Sequence, residues 1–323
     1  MSTFFSVLTW GAIAVLGVLL LGILLWLSVG KTQESTFTNY WRKVGLPIDN
    51  DALELSVRSR LSWLARIIPI SGLVGLVGMA AVCLFAPGIN PVAVLWLVLF
   101  PLMAVSILVL SMRILGTKAP GDPAMAGATT TPQFPRFRDY LTPLQLATPV
   151  AMMVAVLALL VTALVLGATG AISADVLFGS PAIASVIVAV AVLIRALLAA
   201  RQVLRRRDPA AVTLADAWDD AFRAATLRNF ALASSQFTVA AGAFVVYGAF
   251  LAHDAITGFT TSQIAFSLSV LGLLANNLLF APGVGASRFR HRLWPEYQPP
   301  APSATAYAPA APAAAAPAPA PAE

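Results

Sequence analysis

Long uncharged runs alternate with short charged stretches along the chain, and the runs set the expected elements. Residues 1–30 carry no charged side chain, enough for one crossing at about 20 residues per span. Residues 67–112 are also uncharged, too long for a single crossing, and "APGINP" at 86–91 breaks them with two prolines and a glycine. The pattern therefore predicts spans at about 4–29, 67–87, 91–112, 146–167, 178–200, 230–252 and 262–282. Pro181 suits the first turn of the fifth. The expected fold class is all-α, a polytopic transmembrane bundle of seven spans. The first run lacks the basic leader of a cleaved signal peptide and is longer than its usual apolar stretch, so it reads as a retained helix.

Composition agrees with this picture. The chain is 59% hydrophobic and 11% charged, with a mean hydropathy of +0.84; a soluble surface cannot be covered with such a residue set. Seven spans sort every Lys and Arg onto one side, in segments 31–66, 113–138, 195–228 and 288–292. The opposite side keeps only Asp175 and Asp254. Basic loops stay in the cytoplasm, which predicts an N-terminus outside and a C-terminus inside. The pI of about 10 is then a topology signal, with some attraction to anionic lipid headgroups, and nucleic acid is not an expected partner. The arginine, alanine and proline bias points to a GC-rich bacterial source, and so to the cytoplasmic membrane. A single cysteine, Cys83, excludes an internal disulfide and reads as a small buried hydrophobe.

Two charged stretches read as amphipathic cytoplasmic arms, about 49–66 and 213–229. In the first, Asp49 or Asn50 is a candidate cap, with Arg60, Trp63 and Arg66 as interfacial anchors. In the second, "DAWDDAFRAATLRNF", a helical projection gathers Leu214, Trp218, Ala221, Phe222 and Ala225 on one stripe. Asp216, Asp219, Asp220 and Arg223 fall opposite. Asp219 and Asp220 precede Arg223 by four and three residues, the favourable order for helical ion pairs. This face is expected to be solvated.

Polar residues inside the spans carry the candidate site. They are Arg195 near the cytoplasmic end of span five, Gln236 in span six, and Asn276 with Asn277 in span seven. Gln236 and Asn276 lie at matching depth, which predicts either interhelical hydrogen bonds or an inward-open polar cavity. Ser234, Thr238 and Gly242, and likewise Ser71 and Gly75, have the spacing of close-packed helix contacts.

No phosphate-cradling, metalloprotease or nucleophile-elbow motif occurs. His253 and His291 fall on opposite sides, which disfavours a two-histidine metal site. No catalytic residue, metal or cofactor is therefore assigned. The segment 116–135 and the Pro/Ala-rich tail 293–323 are expected to be disordered. "LADAWDDAFRAATLRNFALA" resembles the segment leading into a span in uncharacterised multi-pass membrane proteins of GC-rich bacteria, a resemblance that implies no activity. The expected role is a non-enzymatic membrane component or partner subunit, contacting lipid through the bundle and a protein through its arms or tail. The alternative is a small-solute transporter with its polar site between spans five and seven.

Overall fold

The computed structural model describes residues 2–85, 98–115, 135–206, 213–253, 271–272, 274–280 and 288–294. The turn at 86–91, most of 116–135 and the tail beyond Trp294 lie outside them. Ten helices have both ends among the described residues, and no strand is seen there.

The uncharged first run forms α1 (Ser2–Ser28). Val29 is extended, with φ −71° and ψ 130°, and α2 (Gly30–Val44) leaves at 77° to the end of α1. Gly45 ends α2 in the left-handed region, φ 68° and ψ 27°, and its N–H meets Trp41 O at 2.7 Å. That conformation favours glycine. A Cβ at Gly45 would also collide with Nη1 of Arg290. Gly45→Ala should therefore cost about 1–2 kcal/mol for the backbone alone, with displacement of Arg290 added. Gly45→Asn, which tolerates the backbone but still carries a Cβ, should melt below wild type too; equal melting temperatures would show that Arg290 moves freely.

α3 (Asp51–Phe85) is one continuous helix. Asn50, of the two candidate caps, accepts the Leu53 N–H at 2.7 Å. At 1.5 Å per residue α3 is about 52 Å long, more than the roughly 30 Å of hydrocarbon one crossing needs, and its charged residues all lie in its first half. Its glycines let two neighbours approach: a Cβ at Gly72 would meet Leu20 of α1 at 2.9 Å, and one at Gly75 would meet Leu99 at 2.7 Å. Leu99 leads into α4 (Phe100–Ile114), which packs along α3.

A single turn, α5 (Phe137–Tyr140), precedes α6 (Pro143–Ala168). Thr142 and Gln145 cap α6 reciprocally, at 3.2 and 3.1 Å. α7 (Ala174–Gly179) and α8 (Ala182–Arg205) follow, Pro181 standing just before α8. α9 (Leu214–Ala252) is capped by the Thr213–Asp216 box and is about 58 Å long. α10 (Arg288–Leu293) closes the described chain. α9 is the hub, packed on α4, α6, α7, α8 and α10.

α3, α6, α8 and α9 are long and apolar enough to cross a membrane, and the bent α1–α2 pair would make a fifth. The chain thus has the helices of a membrane protein. Two boundaries differ from expectation. The two arms are not separate lead-ins but the first halves of α3 and α9: α3 continues through Pro69, and the junction in α9 holds neither proline nor glycine. The C-terminal segment does not leave the fold at residue 293 either: Leu293 packs on the core and Trp294 is buried.

One end of the molecule is a polar-cored head. It gathers α2, the first half of α3, the end of α4, α5, the start of α9, and α10. At the other end the Ser173 N–H meets Ala252 O at 2.8 Å, tying the entry of α7 to the end of α9.

Candidate functional site

The charged segment of α9 overturns the solvated-face expectation. Residues 217–230 are all buried, so the helix is enclosed on every side. A helix buried all round is the centre of a fold. Here α2, α3, α5 and α10 supply the cover, and none of them is near in sequence.

Asp220 is fully buried and accepts three hydrogen bonds. Tyr140 Oη donates at 2.8 Å and Arg223 Nη1 at 2.8 Å to Oδ1, while Trp294 Nε1 donates at 3.0 Å to Oδ2. The Asp220–Arg223 pair is the one the three-residue spacing implies. Asp219, by contrast, pairs with Arg60 of α3 and not with Arg223. Arg60 is therefore no interfacial anchor. It is 4% exposed, lies over the Phe222 ring at 4.3 Å, and gives Nε to Ile114 O at 3.1 Å. Trp63 likewise turns inward, donating to Leu110 O at 3.3 Å.

Aromatic and amide groups complete the head. Tyr40 stacks on Phe222, centroids 6.2 Å apart, and its hydroxyl donates to Ala221 O at 3.3 Å. Trp218 donates to Pro47 O at 3.0 Å. Asn229 donates to Ser111 Oγ at 3.2 Å. Exposed at the edge, Arg58 holds the Glu34 carboxyl below its ordinary range, chiefly through their hydrogen bond.

Burial pushes the Tyr40 phenol up to about 12, only partly offset by Arg228 and Arg60. Its folded value lies above its unfolded one, so the stabilisation is complete below pH 10 and is lost as pH rises from 10 towards 12. Wild-type stability should thus fall more steeply than that of Tyr40→Phe across this window. Parallel pH–melting curves for the two proteins would contradict it.

The sequence-expected polar site is assembled only in part. Gln236 Nε2 reaches Asn277 Oδ1 at 3.5 Å. Asn276 is 2% exposed, and neither its Nδ2 nor its Oδ1 has a partner among the described residues. Arg195 is exposed on α8 and takes no part in this contact. Gln145, not anticipated from sequence, is buried and donates to Leu279 O at 3.3 Å. Of the small-residue stripes, Gly242 approaches Val156 of α6, where a Cβ would sit at 3.0 Å.

No family model, curated protein or solved structure matches the chain. Function is accordingly read from geometry. Both buried carboxylates of the head are paired with arginines, Asp219 with Arg60 and Asp220 with Arg223. No group of three His, Cys, Asp or Glu residues is placed to hold a metal ion among the described residues. No signal in the sequence marks the enclosure of α9: the alanines at 217, 221, 224 and 225 fall within about 100° of one another, on a single face of the helix.

Proposed function

We propose that the protein is a bacterial inner-membrane component without chemistry of its own, a partner subunit whose rigid head is its contact surface. The observation behind this reading is the internal pairing of Asp219 and Asp220, which makes the head a scaffold. Purified protein in detergent should turn over no lipid and move no solute by itself, and co-purification from native membrane should return a stoichiometric partner. Turnover or transport by the isolated protein would defeat the proposal.

The head faces the cytoplasm and the chain crosses seven times in this reading. α3, α6 and α9 run away from the head while α4 and α8 run back to it. The stretch 274–280 returns as well, since Gly272 faces Val239 and Leu279 faces Gln145. Cysteines placed at Asp122 and Asp208 should resist impermeant reagents in intact cells and react once the membrane is opened; reaction in intact cells would reverse the orientation.

A solute permease is the second reading, favoured by the unpartnered amide of Asn276. Asn276→Leu separates the two. A subunit should keep or slightly raise its melting temperature, because a buried amide without partners is removed, whereas a permease should lose uptake.

A further inference from the structure

Charge in the core of the head does not balance. Arg60, Arg223, Arg228 and Arg290 are each 4–8% exposed, and among the described residues two carboxylates, Asp219 and Asp220, are buried with them. Arg60 and Arg223 take those two. Arg290 gives Nη1 to Val44 O at 2.8 Å. Arg228 has neither a hydrogen bond nor an ion pair among the described residues, although it is only 8% exposed. Tyr40 is near enough to feel its charge, but a phenol that stays neutral cannot balance it. None of its nitrogens is among the fully buried side-chain atoms without a partner, so the guanidinium opens to the surface, where an anion from outside the chain can balance its charge.

Position says what kind. Arg228 is the last charged residue of α9 before the uncharged stretch 229–252, which places it at the depth of lipid headgroups. Arg66 stands at the corresponding point of α3; its Nη2 donates to Ser28 Oγ at 3.4 Å, while its Nε is buried without a partner among the described residues. We infer that Arg228 is a binding site for a phosphate-bearing anion at the membrane boundary. Its planar fork matches two phosphate oxygens, and the small exposed part of the side chain is the way in. The phosphodiester of an anionic phospholipid and free phosphate are the two sources of this chemistry. The site is independent of whether the head also contacts a protein partner.

The test is the melting temperature of the full-length protein in neutral detergent, alone and with phosphatidylglycerol, phosphatidylcholine or inorganic phosphate. Phosphatidylglycerol should raise the wild type by about 5 °C, as a ligand well above its Kd does, and phosphatidylcholine should not. Arg228→Gln should lose that increment, yet melt no lower than wild type without lipid, because an unpaired charge has gone. Arg228→Lys should keep part of the increment, and Arg205→Gln, at an exposed arginine on the same end, should keep all of it. Inorganic phosphate reproducing the rise would support the site with a soluble anion as its source; a rise with phosphatidylglycerol alone would support it with the lipid. Equal increments in wild type and Arg228→Gln would overturn the inference, as would equal effects of the two lipids. So would an Arg228→Gln protein that melts several degrees lower, or fails to fold, without lipid. Native mass spectrometry of the wild type provides a readout free of any variant: retained phosphatidylglycerol at the expense of phosphatidylcholine is expected, and equal retention contradicts the site.

Discussion

Asp220→Ala should be the most damaging single substitution in the head, with a loss of about 3–5 kcal/mol. The carboxylate is fully buried and receives donors from α5, from α9 itself and from the residue after α10. Removing it leaves the Arg223 guanidinium enclosed without its counter-charge, and takes away the acceptor that the Tyr140 hydroxyl and the Trp294 indole share. Asp220→Asn, which keeps an acceptor but not the charge, should fall between. Denaturant titration followed by tryptophan fluorescence measures the loss. An Asp220→Ala protein as stable as wild type would mean that Asp220 is not enclosed.

The second large effect belongs to Arg60 and Asp219, buried partners 159 residues apart. Arg60→Ala and Asp219→Ala should each cost about 3–5 kcal/mol, because each strands the other charge in the core. The paired change Arg60→Met with Asp219→Leu should cost far less than the sum, within about 1 kcal/mol of wild type, since apolar groups of similar volume can replace a buried ion pair. A double-mutant cycle in detergent reads this directly. Additive losses would show that the two side chains do not meet.

These two pairs also show what a linear reading of the chain can reach. Apolar runs marked α3, α6, α8 and α9, the helices long and apolar enough to cross a membrane, because a crossing needs about 20 apolar residues. The Asp220–Arg223 contact was accessible because both residues sit on one helix at a fixed spacing. Arg60 against Asp219, and Tyr140 and Trp294 against Asp220, join different helices, and no periodicity within one segment encodes them. The projection of 214–230 assumed water wherever charges fell. The tertiary fold put α2, α3, α5 and α10 there instead, and the same residues changed from a wet face to a core. In the candidate polar site, depth matching set Gln236 against Asn276, whereas Gln236 meets the next residue, Asn277. Arg195 stayed outside because snorkelling satisfies an arginine near a helix end without any protein partner.

Thiol labelling of Thr226→Cys, with Cys83 replaced by alanine, tests the enclosed head most directly. Thr226 lies on the arc of α9 that charge patterning alone assigns to solvent, and it is fully buried beside Ser111. In opened membranes the cysteine should stay unreacted until denaturant is added, while one at exposed Arg205 reacts at once. Rapid labelling of Thr226→Cys in the native protein would return the acidic segment to the surface and remove the head described above.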